Sequence, residues 1–258
     1  MFSERPFVIS VAGFDPSGGA GLLSDAKTFE QVGVQGLGVC SAITVQTAEL
    51  FERVHWVATT IIKEQLALLL QQYPVRFLKV GIVESFEVLH ELLMYLEKSF
   101  PHVKVIWDPV IKSTTGFAFH AAIDKTAFHE CCRHVYLITP NADEAKELMN
   151  ETDAVTAAMQ LQLLTNVLLK SCKLQDGSIG DLLLAHGERH ELRASLLNGY
   201  AKHGSGCVLS SAITANLALD NDLYQSCRLA KAYTLAYLKS SPGLLGIHQS
   251  IKSERIDA

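Results

Sequence analysis

A glycine-rich segment follows the first apolar run of the sequence and could contact an anion. Residues 13–21 read GFDPSGGAG, with four glycines in nine positions. Glycine permits left-handed backbone conformations and close ligand approach, and free amides at a helix start favour anions. The segment matches neither the dinucleotide-binding fingerprint nor the P-loop. It therefore indicates either a polar ligand of another class or a tight strand-to-helix connection.

A second small-residue segment, HGSGC at residues 203–207, precedes a run typical of a helix. Unpaired amides at a helix start, aimed at one point, would stabilise charge on a transferring phosphoryl or acyl oxygen. Cys207 falls in the first turn, where the helix dipole lowers a thiol pKa and favours use as a base or nucleophile. The alternative is a buried structural cysteine behind a glycine turn.

Acidic and amide side chains follow two further apolar runs. Asn141 and Glu144 stand three residues apart at the start of a helical pattern, and Asp108 closes the run before Pro109. Their oxygens could hold a magnesium-bound water or orient a metal ion. Equally, Asn141 and Glu144 fit an ordinary helix N-cap, and Asp108 could cap a loop.

Other polar residues also stand at the ends of apolar runs. Lys79 and Gly81 end one apolar run, and Gln46 follows another. Five predicted strands thus deliver polar residues to one end of a sheet, where open α/β sheets bind ligands. This convergence predicts a single site for a phosphorylated or polar small molecule.

The elements that must position these residues are short apolar runs alternating with longer segments of helical period. The predicted strands are Phe7–Ala12, Leu37–Val45, Phe77–Val80, Val103–Trp107, Val135–Ile138, Val167–Lys170, and Asp181–Ala185 paired with Glu191–Arg193. The predicted helices are Gly21–Val32, Ile62–Gln72, Phe86–Lys98, Asn141–Met149, Ala154–Leu164, Gly206–Ala218 and Asp222–Leu238. The alternation predicts a mainly parallel sheet with helices on both faces. The late hairpin and final helix pair argue against a TIM barrel.

The composition of the chain excludes several classes of protein. The chain has 258 residues, 48% of them hydrophobic, and a formal net charge of −5, which predicts one globular domain over residues 1–258 and no nucleic-acid partner. The six cysteines lack the C-x-x-C spacing of a zinc or redox site. The apolar runs are too short for a membrane span, and no signal-peptide pattern precedes the first strand. We expect a cytoplasmic protein without a membrane partner.

Six segments, in order from about Val8 to Leu238, resemble motifs of the hydroxymethylpyrimidine/phosphomethylpyrimidine kinases of the ribokinase-like superfamily. AGFDPSGGAG at 12–21 is similar to the family's A-G-S-D-x-S-G-G-A-G, and DAKTF at 25–29 to D-x-K-T-F. KVGI at 79–82 resembles K-x-G-M, and DPV at 108–110 resembles D-P-V. ITPN at 138–141 with Glu144 resembles L-T-P-N-x-x-E, and HGSGCVLS at 203–210 resembles H-G-T-G-C-T-L-S.

The resemblance implies a ribokinase-like three-layer α/β sandwich and phosphorylation by ATP and Mg²⁺. The implied substrates are 4-amino-5-hydroxymethyl-2-methylpyrimidine and its monophosphate, in thiamine biosynthesis, and the implied assembly is a homodimer. By family pattern, Cys207 is the catalytic base, in the position that sugar kinases of the superfamily fill with Asp. The other implied roles are an anion hole (Gly204, Ser205, Gly206), substrate binding (Gly13, Ala20, Asp25, Gln46, Ile82), nucleotide binding (Lys79, Asn141, Lys170) and metal binding (Asp108, Glu144).

Two departures from the family pattern leave alternatives open. The family's A-Q-N-T is VQTA at 45–48, so an ungapped alignment puts Glu49 at the ring-recognition position and a gapped one puts Gln46 there. We favour Gln46, whose amide can donate to one ring atom and accept from another. The family's K-G-G-H is KSCK at 170–173. The alternative functions are a pyridoxal kinase of vitamin B6 salvage and a non-catalytic pyrimidine-binding sensor.

Overall fold

A computed structural model describes residues 5–113, 115–119, 123–193 and 201–250. The strands of these residues are β1 (Phe7–Phe14), β2 (Gln35–Gln46), β3 (Phe51–Trp56), β4 (Phe77–Val80), β5 (Lys104–Trp107), β6 (Leu137–Ile138), β7 (Asn166–Lys173), β8 (Ile179–Ala185) and β9 (Glu188–Arg193). The helices are α1 (Gly21–Val32), α2 (Thr59–Gln72), α3 (Phe86–Ser99), α4 (Lys125–Arg133), α5 (Ala142–Met149), α6 (Ala154–Leu161), α7 (Ser205–Ala218) and α8 (Leu223–Lys239).

The strands form one sheet in the order β3-β2-β1-β4-β5-β6-β7-β8-β9. The six strands from β2 to β7 in this order run parallel, and β3, β8 and β9 extend the two edges in antiparallel pairings. The predicted mainly parallel sheet and the late hairpin are therefore confirmed. From β1 the chain moves first to β2 on one side and later to β4 on the other. The carboxyl end of β1 is thus a topological switch point, where such sheets bind ligands.

Side-chain alternation along the central strands produces a layer of helices on each face of the sheet. Val8 belongs to the core shared with α1, α7 and α8, whereas its neighbour Ile9 belongs to the core shared with α2 to α6. Ile106 and Trp107 divide in the same way on β5. This period of two buries both faces of the sheet and gives three layers. In the described part of the chain, no helix has the length and apolar character to cross a membrane.

Two elements lie outside the predicted set. Strand β3 is at the sheet edge and exposes Glu52, Arg53 and His55, so it lacks the apolar run that marks the central strands. Helix α4 is short, and its buried positions are Phe128, Cys131 and Cys132. The available signal for α4 was Asp124, whose side chain caps the helix by accepting from the amides of residues 126 and 127.

Candidate active site

The carboxyl ends of the parallel strands open into a cavity of about 800 Å³. Its lining comes from the carboxyl-terminal parts of β1, β2 and β7, from the segments that follow β1, β2, β4, β5 and β6, and from the start of α7. The predicted convergence of strand ends on one site is therefore found in the structure. The sequence-predicted site residues that line this cavity are Gly13, Ala20, Gln46, Ile82, Asp108, Asn141, Glu144, Lys170, Gly204, Ser205, Gly206 and Cys207.

Asp15 holds the glycine-rich loop in shape and joins it to the segment before α7. Its buried carboxylate accepts the amides of Ser17 at 2.8 Å and Ala20 at 2.9 Å, and lies 2.8 Å from Nε2 of His203. Burial raises the pKa of Asp15, but the hydrogen bonds from His203, Ser17 and Ala20 outweigh burial and hold it below its ordinary value. The two glycine-rich segments are therefore one structural unit, a link that the separate sequence motifs did not reveal.

The two segments also meet backbone to backbone, which explains why glycine is required at two positions. Gly204 has φ +75°, and a Cβ there would lie 2.0 Å from the carbonyl oxygen of Gly19. Gly21 has φ +56°, and its Cβ would lie 2.1 Å from the carbonyl oxygen of Gly13. A side chain at either position would combine a strained left-handed backbone with a steric clash.

Helix α7 directs its amino-terminal end into the cavity. Gly204 is its N-cap, and no capping side chain among the described residues occupies the first-turn amides. Free amides at a helix start form a site for phosphate or another anion. Cys207 lies in this turn and lines the cavity. The first turn of α7 therefore places an anion-binding backbone beside a thiol.

The electrostatic environment of Cys207 differs from the sequence-based expectation. Burial raises the pKa of its thiol to about 11, although the positive charge of Lys79 and a hydrogen bond from the Gly21 backbone lower it. The expected lowering of the thiol pKa by the helix dipole is therefore wrong, because loss of solvation outweighs the favourable charges. At neutral pH the resting side chain is a thiol.

Lys79 and Asp25 form an ion pair beneath the cavity. Nζ of Lys79 lies 2.6 and 2.8 Å from the two carboxylate oxygens of Asp25, and both side chains have zero exposed surface. Ser10 and Ser211 donate hydrogen bonds to the same carboxylate at 2.5 and 2.6 Å. Neither Lys79 nor Asp25 lines the cavity, and the implied contacts of Asp25 with the substrate and of Lys79 with the nucleotide stay predictions. The pair joins β1, β4, α1 and α7.

A second charged cluster lies in the cavity at the ends of β5, β6 and β7. Nζ of Lys170 is 2.8 Å from Oδ1 of Asp108 and 4.0 Å from Oε2 of Glu144. Burial raises the pKa of Glu144 to about 7, and Asp108 adds to this effect while Lys170 opposes it. Burial also acts to raise the pKa of Asp108, but Lys170 and Lys79 outweigh it and keep that pKa below its ordinary value. Two buried carboxylates thus share one neighbouring ammonium group.

Asn141 and Glu144 form the helix cap that the sequence allowed as an alternative. Oδ1 of Asn141 accepts the amides of Asp143 and Glu144, each at 2.9 Å, and Oε2 of Glu144 accepts the amide of Asn141 at 2.7 Å. This reciprocal capping box accounts for the spacing of the two residues. The same bonds fix the Glu144 carboxylate on the cavity side, near Lys170.

Gln46 and Glu49 occupy different environments. Gln46 is the last residue of β2 and lines the cavity, where its Nε2 donates to Oγ1 of Thr44 at 2.9 Å. Glu49 is exposed between β2 and β3 and is not part of the cavity wall. The structure therefore favours the gapped alignment.

An aromatic wall beside Gln46 was missed by sequence reasoning. Phe51 on β3 and Phe119 both line the cavity, with ring centroids 5.3 Å apart, and Phe117 packs on Phe51 at 4.4 Å. Phe51 was missed because β3 was not predicted. Residues 115–119 have no helical or strand-like period long enough to interpret. The only local signal was the pair of phenylalanines either side of Ala118.

A family model, a curated relative and a solved structure all indicate one family. The family described as phosphomethylpyrimidine kinase matches residues 15–252. The hydroxymethylpyrimidine/phosphomethylpyrimidine kinase of Aquifex aeolicus is 32% identical over 248 residues, which cover 92% of this chain and 95% of that protein. The solved phosphomethylpyrimidine kinase of Clostridium difficile has 30% identity and a TM-score of 0.74, covering 91% of this chain and all of that one.

A further solved structure confirms the predicted ribokinase-like fold. The pyridoxal kinase of Staphylococcus aureus in complex with ADP superimposes with a TM-score of 0.80, covering 92% of this chain and 89% of that one. The sequence identity is 23%, so this similarity shows a shared fold and does not identify a shared substrate.

The buried pair predicts a large stability loss when only one charge is removed. Lys79→Met leaves the Asp25 carboxylate buried and unpaired, and should lower the free energy of unfolding by about 3–5 kcal/mol. The double variant Lys79→Met/Asp25→Asn removes both charges and should be more stable than that single variant. Denaturant unfolding monitored by circular dichroism measures both.

The matched control for this prediction is Lys63→Met. Lys63 forms an ion pair with Glu91 at the same 2.6 Å distance, but on the surface. Surface pairs contribute about 0–1 kcal/mol, so this variant should remain close to wild type. Equal stability losses for Lys63→Met and Lys79→Met would contradict the structural role of the buried pair.

Proposed function

This chain belongs to the phosphomethylpyrimidine kinase family, and we propose that its cavity transfers the γ-phosphoryl group of ATP to 4-amino-5-hydroxymethyl-2-methylpyrimidine and then to the monophosphate. The family match makes the chain a kinase of thiamine biosynthesis that acts on small molecules. The observation that carries the assignment of the cavity is the placement of Cys207 in the amino-terminal turn of α7, on the cavity wall. In this turn, the side chain that would accept the proton lies next to the backbone amides that would bind the anion.

The pyrimidine binds at the end of the cavity formed by the ends of β1, β2 and β4. Gln46 offers both an amide donor and an acceptor to the ring edge, while Ile82 and Phe51 provide apolar walls. Gly13 and Ala20 line the same cavity and leave room for a flat ring. This orientation directs the hydroxymethyl group towards Cys207.

The phosphates of ATP bind at the opposite end, near α7 and Lys170. The free amides of Gly204, Ser205, Gly206 and Cys207 receive the γ-phosphoryl oxygens, and Lys170 contributes positive charge. Asn141 lines the cavity on the nucleotide side. Phosphoryl transfer depends mainly on positioning and charge stabilisation of this kind.

In the proposed transfer step, one bond to the γ-phosphorus forms as another breaks. The hydroxymethyl oxygen forms a bond to the γ-phosphorus as the bond from that phosphorus to the β,γ-bridging oxygen breaks, and ADP leaves. The thiolate form of Cys207 accepts the hydroxyl proton as the new bond forms. The thiol pKa of about 11 keeps this form scarce at neutral pH, so the rate depends on its population.

Magnesium fits the carboxylate cluster at the ends of β5 and β6. Asp108 and Glu144 are buried oxygen donors that share one ammonium group, a donor set that suits a divalent cation with oxygen ligands. These two residues would hold the ion directly or through water. When bound, Mg²⁺ neutralises phosphate charge and orients the phosphates.

Further proposed properties have different grounds. The family resemblance supports a homodimer, and the length supports a single kinase domain over residues 1–258. The composition supports a cytoplasmic location without nucleic-acid or membrane partners. The formal net charge of −5 supports the absence of a nucleic-acid partner.

Substrate choice tests the proposed function. With ATP and Mg²⁺, we expect release of ADP with the hydroxymethylpyrimidine and with its monophosphate, because one anion site holds the γ-phosphate for both acceptors and the monophosphate oxygen is already ionised near neutral pH. Coupled ADP assays with these two compounds and pyridoxal measure the choice. Turnover on pyridoxal alone would assign the chain to vitamin B6 salvage. Ring binding without turnover on any of the three would indicate a sensor.

The pH dependence of turnover tests Cys207. Because its pKa is about 11, the thiolate fraction and the turnover number should rise about tenfold per unit between about pH 7 and 9. Cys207→Ala should reduce turnover by about 10²-fold or more with little change in pyrimidine binding. Cys207→Asp supplies a base that is already ionised, so its profile should be flat over the same range. A flat wild-type profile would exclude the thiolate base.

Two neighbouring variants test ring recognition. Gln46→Ala should raise the KM for the pyrimidine about tenfold, the effect of one or two lost hydrogen bonds, without changing the KM for ATP. Glu49→Ala is the matched control and should leave both constants unchanged, because its side chain lies outside the cavity wall. Steady-state kinetics with each substrate varied in turn gives both values. The reverse result would support the ungapped alignment.

A further inference from the structure

Three metal-binding side chains meet on the outer layer of helices, outside the cavity. His90 on α3, Glu130 on α4 and His134 at the end of α4 each place one ligand atom within 4.8 Å of the other two. None of the three lines the cavity, and all are partly exposed. We propose that this cluster binds a divalent transition-metal ion such as Zn²⁺ and connects α3 to α4.

The donor set determines the class of metal. Two imidazole nitrogens and one carboxylate are ligands that suit Zn²⁺ and its transition-metal neighbours. Mg²⁺ and Ca²⁺ prefer oxygen ligands and would bind poorly to two histidines. At metal–ligand distances of about 2.0–2.1 Å, tetrahedral donors lie roughly 3.4 Å apart. Partly exposed side chains can make this adjustment by changing rotamer, and water can fill the fourth position.

A fourth residue orients one of the ligands. Nδ1 of His134 lies 2.8 Å from Oε2 of Glu97, which is on α3. The nearby negative charge favours a proton on Nδ1, and Nε2 then carries the lone pair that a metal needs. A carboxylate behind a histidine is a common outer-shell arrangement in metal sites, because it fixes the tautomer and raises ligand basicity. Glu97 is therefore a positioning residue of the proposed site.

One neighbouring charge opposes metal binding. Arg133 forms an ion pair with Oε1 of Glu130, so this carboxylate must share its charge or exchange partners. Both side chains are about half exposed, and such surface pairs contribute only about 0–1 kcal/mol. The two histidines should therefore account for most of the affinity, and removal of the arginine charge should strengthen binding.

The expected consequence of binding is greater stability of the helical layer. A ligand that binds only the folded state stabilises it in proportion to its concentration relative to the dissociation constant. The proposed ion joins α3 to the carboxyl end of α4 on the opposite side of the sheet from α7.

The test uses the full chain, freed of metal by a chelator and titrated with Zn²⁺ alone. Calorimetry should show one site in the wild type that is weakened about 100-fold or more in His90→Ala/His134→Ala, and Zn²⁺ should raise the Tm of the wild type only. Glu97→Gln should weaken binding about 10–100-fold, and Arg133→Gln should strengthen it.

The matched control is His55→Ala/His102→Ala, which removes two exposed histidines from other parts of the surface. It should bind Zn²⁺ as the wild type does. The milder variant His90→Gln/His134→Gln replaces the alanine pair if circular dichroism shows that the latter fails to fold. Equal Zn²⁺ affinity and stoichiometry in the wild type and the folded ligand variant, or no binding by the wild type, would overturn the proposal.

Discussion

The buried ion pair between Lys79 and Asp25 fixes the elements that carry the active site. A charge without solvent must be paired and hydrogen-bonded, and here Ser10 and Ser211 complete the shell around the Asp25 carboxylate. These four residues come from β4, α1, β1 and α7, so satisfying one carboxylate sets the position of α7 against the sheet. Lys79 also lowers the pKa of Cys207 against the opposing effect of burial. Asp25 acts on the same thiol in the opposite direction, so the two members of the pair partly offset each other at Cys207.

Above this pair, the cavity separates two kinds of environment. Phe51, Phe119 and Ile82 supply apolar surface at one end, whereas Lys170 with its two carboxylate neighbours supplies charge at the other. A flat heteroaromatic alcohol and a polyphosphate require these two environments, with the reacting oxygen where they meet. The amino-terminal turn of α7 lies at this boundary, and its backbone position depends on close glycine contacts between residues 19 and 204.

The sequence predicted the architecture well because strand and helix periods, and polar residues at strand ends, are local patterns. It could not place Asp25 and Lys79, since periodicity does not distinguish a polar residue on a cavity wall from one in a buried pair. The pKa of Cys207 was also unpredictable, because it depends on burial by distant elements. Ser171 lies in the segment that corresponds to the family's K-G-G-H and has a left-handed backbone, with φ +53°. Its amide donates a hydrogen bond to the side chain of Asp181 at 2.9 Å, a long-range contact that the local sequence does not reveal. Lys170 still reaches the cavity.

In the proposed reaction, the hydroxymethyl oxygen of the pyrimidine meets the γ-phosphate beside Cys207. A crystal structure with the hydroxymethylpyrimidine and a non-hydrolysable ATP analogue measures this arrangement directly. We expect the hydroxymethyl oxygen within about 3.5 Å of Sγ of Cys207, the γ-phosphate on the first-turn amides of α7, and the ring edge on Gln46. A hydroxymethyl group directed away from Cys207, or a ring bound beside Lys170, would contradict it.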